Sequence, residues 1–181
     1  MIAKALSGAK RHKVLLMTKH LVRDPVTALQ QLETSLSRLQ TDCIDLWQYH
    51  AVGTPGDVNA IYNSGALEIA LRAREQGKVR YIGFTGHFRP DRHIEMLAGD
   101  FEWDTVQMPI SPFDYHYESF QKKVLPLLNN RLSKSFLRLS FPISSMDKPF
   151  ERAVASSKER RTAVLRELRA FFFICLLYTS D

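Results

Sequence analysis

Four residues of this chain, at intervals of 22 to 35 positions, could together do chemistry: Lys19, His50, Thr85 and Gln107. Lys19 follows the apolar run VLLMT, His50 follows IDLWQY, Thr85 follows VRYIGF, and Gln107 sits within TVQM. An ammonium, an imidazole, a hydroxyl and an amide form a polar site if the fold brings those run ends together. Each also has a plain structural reading. Lys19 alone reads as a solvated surface residue, His50 as a hydrogen-bonded structural histidine, Thr85 as a turn closer and Gln107 as a strand-end cap. The other candidate groups offer less. His20, His93 and His116 share no metal-ligand spacing and read as surface residues. Asp45 interrupts an apolar strand, so it needs a backbone amide or an arginine as partner. Two cysteines, Cys43 and Cys175, are too few and too far apart for a disulfide framework or a Cys-rich metal site, so no metal is expected. That usage fits a reducing, cytoplasmic compartment.

The elements that must position these residues read as alternating strands and helices. Val14–Thr18 is a short buried strand, and Asp24-Pro25 opens a helix with an apolar stripe at Val26, Leu29, Leu32, Leu36 and Leu39. Ile44–Tyr49 is the next strand. The loop Gly53-Thr54-Pro55-Gly56 leads into a helix ending at Gly77, a C-cap. Val79–Phe84 follows as a strand, Pro90–Leu97 as a helix, Thr105–Met108 as a strand and Glu118–Leu128 as a helix. This alternation suits right-handed βα units around a parallel sheet. An open sheet that binds a dinucleotide would carry a Gly-rich turn after its first strand. Here Lys19-His20-Leu21 follows instead, and no GxGxxG or Walker A pattern occurs. Polar residues at successive strand ends favour part of a (β/α)8 barrel, whose chemistry sits at the carboxyl ends of its strands. The expected fold is therefore α/β, a partial TIM barrel of about four βα units followed by an irregular or helical tail.

Composition divides the chain. The 181 residues suit one domain, with 45% hydrophobic and 24% charged residues, the balance of a globular protein. The longest apolar run, from Ala170 to Tyr178, is too short to cross a bilayer, and MIAKALSGAKRHK lacks a signal pattern. The net charge is +6, yet residues 1–130 carry 15 Lys+Arg against 14 Asp+Glu, whereas residues 131–181 carry 10 against 5. All eight glycines lie at or before Gly99. We therefore place a boundary near Asn130, between a partial barrel (1–130) and an atypical basic tail (131–181). A basic amphipathic helix over 151–170 is one reading of that tail, and a solvated segment is another. A reading-frame change near Asn130 would account for the loss of glycine, and FICLLYTSD looks like translated sequencing adapter. On that artefactual reading the tail's charge does not argue for a nucleic-acid partner.

LLMTKH, IDLWQYHAV, KVRYIGFTGH and WDTVQMPISPFD resemble consecutive strands three to six of the aldo-keto reductases, most strongly a bacterial branch of predicted oxidoreductases. The resemblance runs from about Ala3 to Asn129, with residues 1–10 as the end of a preceding helix. It implies NADPH- or NADH-dependent reduction of a small aldehyde or ketone, with a tyrosine protonating the carbonyl oxygen. It implies that Lys19 tunes that tyrosine and that His50 hydrogen-bonds the substrate oxygen. It also implies that Gln107 holds the nicotinamide carboxamide and that Thr85 assists where the family often has serine. Gly86-His87 departs from the family's serine-asparagine pair. The family's first two strands, its aspartate and its tyrosine are expected upstream, since Tyr49, Tyr62 and Tyr81 fall elsewhere. The stretch alone is then expected to be inactive and poorly folded, with open edges at Val14–Thr18 and Thr105–Met108. The family's glycine-containing seventh strand is not found after Asn129, and no Cys-rich iron–sulfur segment is seen. Two alternatives are a non-catalytic barrel of the same family serving as a regulatory or binding subunit, and a basic-tailed binder of nucleic acid or anionic membrane. The leading reading has neither nucleic acid nor membrane as partner. Substrate identity, NAD against NADP, and oligomeric state stay open.

Overall fold

The computed structural model describes residues 3, 11, 14–110, 115–131, 136–140 and 172–176. In chain order these form β1 (Val14–His20), α1 (Pro25–Leu39), β2 (Ile44–Tyr49), α2 (Pro55–Asn63), α3 (Ala66–Glu75) and β3 (Val79–Thr85). Then follow α4 (Pro90–Ala98), β4 (Thr105–Pro109), α5 (Phe120–Lys123), α6 (Leu125–Arg131), β5 (Phe136–Ser140) and β6 (Phe172–Leu176). The strands make one sheet in the order β5-β4-β3-β2-β1-β6, every neighbouring pair parallel. The four central strands and their helices form the curled half of a (β/α)8 barrel, as expected.

Every position of β2 is buried, as a parallel strand covered on both faces requires. Leu16, Trp47, Tyr49, Ile82 and Phe84 pack into one core with Leu32, Leu36 and Leu39 of α1, the alanines of α3 and Met96 and Leu97 of α4. Trp103 meets Tyr49, Phe84 and Phe101 edge-to-face, with centroids 4.8 to 5.8 Å apart. Asp45 finds both kinds of partner expected of it. Its carboxylate accepts the Leu16 N–H at 2.8 Å and pairs with Arg80 at 2.9 Å and Arg11 at 2.8 Å.

Several local expectations need correction. β1 runs two residues further than its apolar core, because Lys19 and His20 continue the ladder opposite Gln48 and Tyr49. The α1 stripe is Ala28, Leu32, Leu36 and Leu39, whereas Val26 is 65% and Leu29 38% exposed. The small Ala28 holds the buried face that larger neighbours were assigned. Asp24 caps this helix as read, accepting the Thr27 N–H at 2.8 Å. The helix ending at Gly77 is two helices, broken at Gly65 (φ +85°), and Gly77 (φ +74°) closes the second. The helix over 118–128 is also two, because Pro126 has no N–H to give the Lys122 carbonyl. His20 and His93 are buried among aromatic rings rather than on the surface; His116 is exposed.

The tail is corrected too. Beyond Arg131, which ends α6, its described residues are strands rather than irregular or helical: β5 pairs with β4 from Thr105↔Phe136, and β6 pairs with β1 from Val14↔Phe172. Both edges expected to be open are therefore covered. Edge pairing uses backbone N–H and C=O groups, which any short apolar run supplies without glycine. The helix expected over 151–170 lies outside the described residues, as does the N-terminal helix end apart from Ala3. Among the described residues no helix is long and apolar enough to cross a membrane.

Candidate active site

The parallel register decides which side chains meet. Lys19 lies opposite Gln48, and Gly83 opposite both Gln48 and Thr105, so these four share one row across the sheet. In the next row on the same face His50 follows the end of β2, and Thr85 lies opposite Gln107. The structure thus gathers all four sequence-predicted residues at the carboxyl ends of β1 to β4, on the face opposite the helices.

The lower row is a polar floor. Gly83 has no side chain, and a Cβ there would lie 2.0 Å from Thr105 Oγ1. Across that space Gln48 Nε2 donates to Thr105 Oγ1 at 3.2 Å, while Gln48 Oε1 is buried without a hydrogen-bond partner among the described residues. Lys19 is buried in the same row.

In the upper row His50 Nδ1 lies 3.0 Å from Thr85 Oγ1, and the Ala51 N–H donates to the same hydroxyl oxygen at 3.2 Å. Thr85 is fully buried, Gln107 nearly so, and His50 is half-buried. Backbone bonds fix the strand ends: His50 N–H to His20 O (2.8 Å), Val52 N–H to Thr85 O (2.7 Å) and Gly86 N–H to Gln107 O (3.1 Å). Burial pushes the His50 imidazole below the usual histidine range, and the charges of Lys19, His87 and Arg23 push the same way. His87, exposed on the loop after β3, stands edge-on to His50 with centroids 6.1 Å apart.

Tyr49, Tyr62 and Tyr81 stay away from this cluster. Tyr49 donates its hydroxyl to Ala66 O on the helix side, and burial raises it well above the usual tyrosine range. Tyr62 bonds Met96 O beside α4, and Tyr81 is 49% exposed two positions down β3 from Gly83. Among the described residues no group of three or more His, Cys, Asp or Glu is placed to hold a metal ion.

Four participants escaped sequence reasoning. Gln48 and Thr105 sit inside strands that looked merely apolar. Arg23 donates to His50 O at 2.7 Å and pairs with Asp57 at 3.0 Å. Asp24-Pro25 signalled only a helix start next to Arg23, and Gly53-Thr54-Pro55-Gly56 only a loop before Asp57. The one available signal was a capping box: Thr54 and Asp57 cap each other's backbone at the start of α2.

Half of a parallel barrel with an ammonium, an imidazole, a hydroxyl and an amide toward the carboxyl ends of its strands defines a partial (β/α)8 barrel with a polar cluster. The chain belongs to the aldo-keto reductases: the profile of the aldo/keto reductase family matches residues 1–137. It is similar in fold to an aldo-keto reductase from Pseudomonas aeruginosa (TM-score 0.65, 15% identity), covering 98% of this chain and 65% of that one. It is also similar to an aldo/keto reductase from Brucella melitensis (0.63, 19%, covering 96% and 67%). The holo form of an aldo-keto reductase from Bacillus halodurans matches as well (0.59, 18%, covering 99% and 67%). The chain thus spans about two thirds of the length of these reductases.

Proposed function

We propose that this chain carries half of the site of an NAD(P)H-dependent reductase of small aldehydes or ketones. The observation that carries the reading is the His50–Thr85 pair, with Lys19 one row below and Gln107 in register beside it. Thr85 Oγ1 already accepts the Ala51 N–H, so its single proton is best placed on His50 Nδ1. Nε2 then carries the imidazole's own N–H and donates it to a carbonyl oxygen, a bond that strengthens as negative charge grows there. Lys19 supplies the cation that tunes a proton-donating tyrosine, whose unperturbed pKa near 10 makes it a slow donor. The Gln107 amide, with a donor and an acceptor in the middle of β4, matches the donor set of a carboxamide. A bound nicotinamide supplies the hydride.

Tyr49 and Tyr62 give their hydroxyls to the carbonyls of Ala66 and Met96, and in this reading turnover depends on a tyrosine and an aspartate from the family's earlier strands. The 181-residue chain alone is therefore inactive in this reading. In an intact enzyme containing these residues, Lys19→Met lowers carbonyl reduction at least about a hundredfold. There His50→Ala lowers turnover with little loss of NADPH affinity, whereas Gln107→Ala weakens NADPH binding in a fluorescence titration. Near-normal turnover in the Lys19 variant, or a reversal of the other two effects, refutes the assignment. A regulatory, non-catalytic barrel would instead show no aldehyde-dependent NADPH oxidation even with that tyrosine present. The reading further includes a cytoplasmic location and no nucleic-acid partner. It treats residues 131–181 as foreign to the family pattern, although the family match runs on to residue 137. The flanking nucleotide sequence in three frames tests that boundary.

A further inference from the structure

The loops that follow β1 and β2 meet at one guanidinium. Arg23, whose side chain is 13% exposed, donates through Nη2 to His50 O at 2.7 Å and through Nη1 to Leu21 O at 3.0 Å. Its Nε donates to Asp57 Oδ1 at 3.0 Å. The other Asp57 oxygen accepts the Gly53 N–H (3.2 Å), the Thr54 N–H (2.9 Å) and the Thr54 hydroxyl (2.8 Å). Asp57 thereby fixes both the guanidinium and the loop that leads away from His50.

The peptide unit joining His50 to Ala51 is held at both ends. Arg23 holds its carbonyl, and Thr85 Oγ1 accepts its N–H. Ala51 has φ +55°, a left-handed conformation that a non-glycine residue keeps only when its surroundings enforce it. The hydroxyl that accepts this N–H is also the contact of His50 Nδ1. Rotating the peptide would therefore break the Arg23 bond and misplace the imidazole's partner in one motion.

We infer that Arg23 is a positioning residue: by clamping the His50–Ala51 peptide it holds the His50 imidazole against Thr85 and turns Nε2 toward the substrate side. The inference rests on the role proposed above for His50. Lysine does not replace it, because a point charge on a flexible stem lacks the planar fork that reaches three acceptors in three directions.

The test uses the full chain with nitrogen-15-labelled histidine, reading the His50 ring nitrogens by NMR in the wild type, Arg23→Lys, Arg23→Met and Asp57→Asn. We expect a single Nε2–H tautomer in the wild type. Arg23→Lys and Asp57→Asn should move the His50 nitrogen shifts toward a tautomer average while His93 keeps its own. Should Arg23→Met fail to fold, Arg23→Lys decides, because it keeps the charge. Unchanged His50 shifts in a folded Arg23→Lys variant overturn the inference, as does equal movement of His50 and His93. The role of His50 fails separately: if His50→Ala leaves turnover intact in the complete enzyme, the clamp survives on its spectroscopic signature but not as part of catalysis.

Discussion

One hydroxyl, Thr85 Oγ1, serves both an imidazole nitrogen and the amide of Ala51, and it does so fully buried. Replacing it with an apolar group of the same shape is therefore not neutral, since two polar partners stay behind. Thr85→Val should destabilise the fold by about 0.5–1.5 kcal/mol, the net worth of an ordinary hydrogen bond, because half-buried His50 and exposed Ala51 can turn to water instead. Thr85→Ser, which keeps the oxygen, should cost much less. Urea melts of the two variants check this, and equal losses would mean that the methyl rather than the hydroxyl matters. At this scale the sequence was a fair guide to which residues meet: the register brings Thr85 beside Gln107 and sets Lys19 in the row below. It was silent about what holds them. Arg23 and Asp57 lie 34 residues apart, one in a loop and one in the first turn of α2, and no periodicity says that these two segments touch.

At the scale of elements, two glycines separate space from conformation. A Cβ on Gly83 would meet the Thr105 side chain at 2.0 Å and its backbone oxygen at 2.7 Å, so β3 and β4 would have to part. A Cβ on Gly77 meets nothing within 4 Å, but the residue sits at φ +74°. Gly77→Ala should therefore cost about 1–2 kcal/mol, the price of left-handed backbone for an L-residue. Gly83→Ala should cost more, adding overpacking to a site whose neighbour is backbone. Thermal melts in which the two lose the same stability would contradict that ranking. Element existence was legible because short apolar runs between turn residues leave few choices. Faces and breaks were not. Val26 and Leu29 satisfy helical spacing, yet the sheet selects the adjacent stripe through Ala28, and spacing alone cannot tell two overlapping stripes apart. His20 looked polar enough for the surface, but it stacks on Trp47 with centroids 4.2 Å apart, and that contact exists only once β1 and β2 are in register.

For the whole molecule, the buried histidines set a pH dependence. Burial lowers His20 to about 3 and His93 to about 4. Both are then neutral in the folded protein, while the unfolded chain binds protons near 6.5. Their stabilising effect is full above pH 6.5 and falls as pH drops toward 4, by up to about 1.4 kcal/mol per unit for each histidine. Asp57 and Asp91, both held below the carboxylate range, add losses only at lower pH. The melting temperature should therefore fall between pH 6.5 and 4.5, and His20→Phe should flatten the slope; an unchanged slope would rule His20 out. The strand order carries a consequence for how the protein assembles. β1 and β2 join residues 29 apart (Met17 with Leu46), whereas β1 and β6 join residues about 160 apart (Val14 with Phe172). Closing the longer loop costs about 1.5 kcal/mol more in chain entropy. The β1–β6 seam should therefore zip last on refolding and open first at equilibrium. Amide protons of β6 should accordingly exchange with solvent well before those of β2, like the last tooth of a zip engaged from its middle.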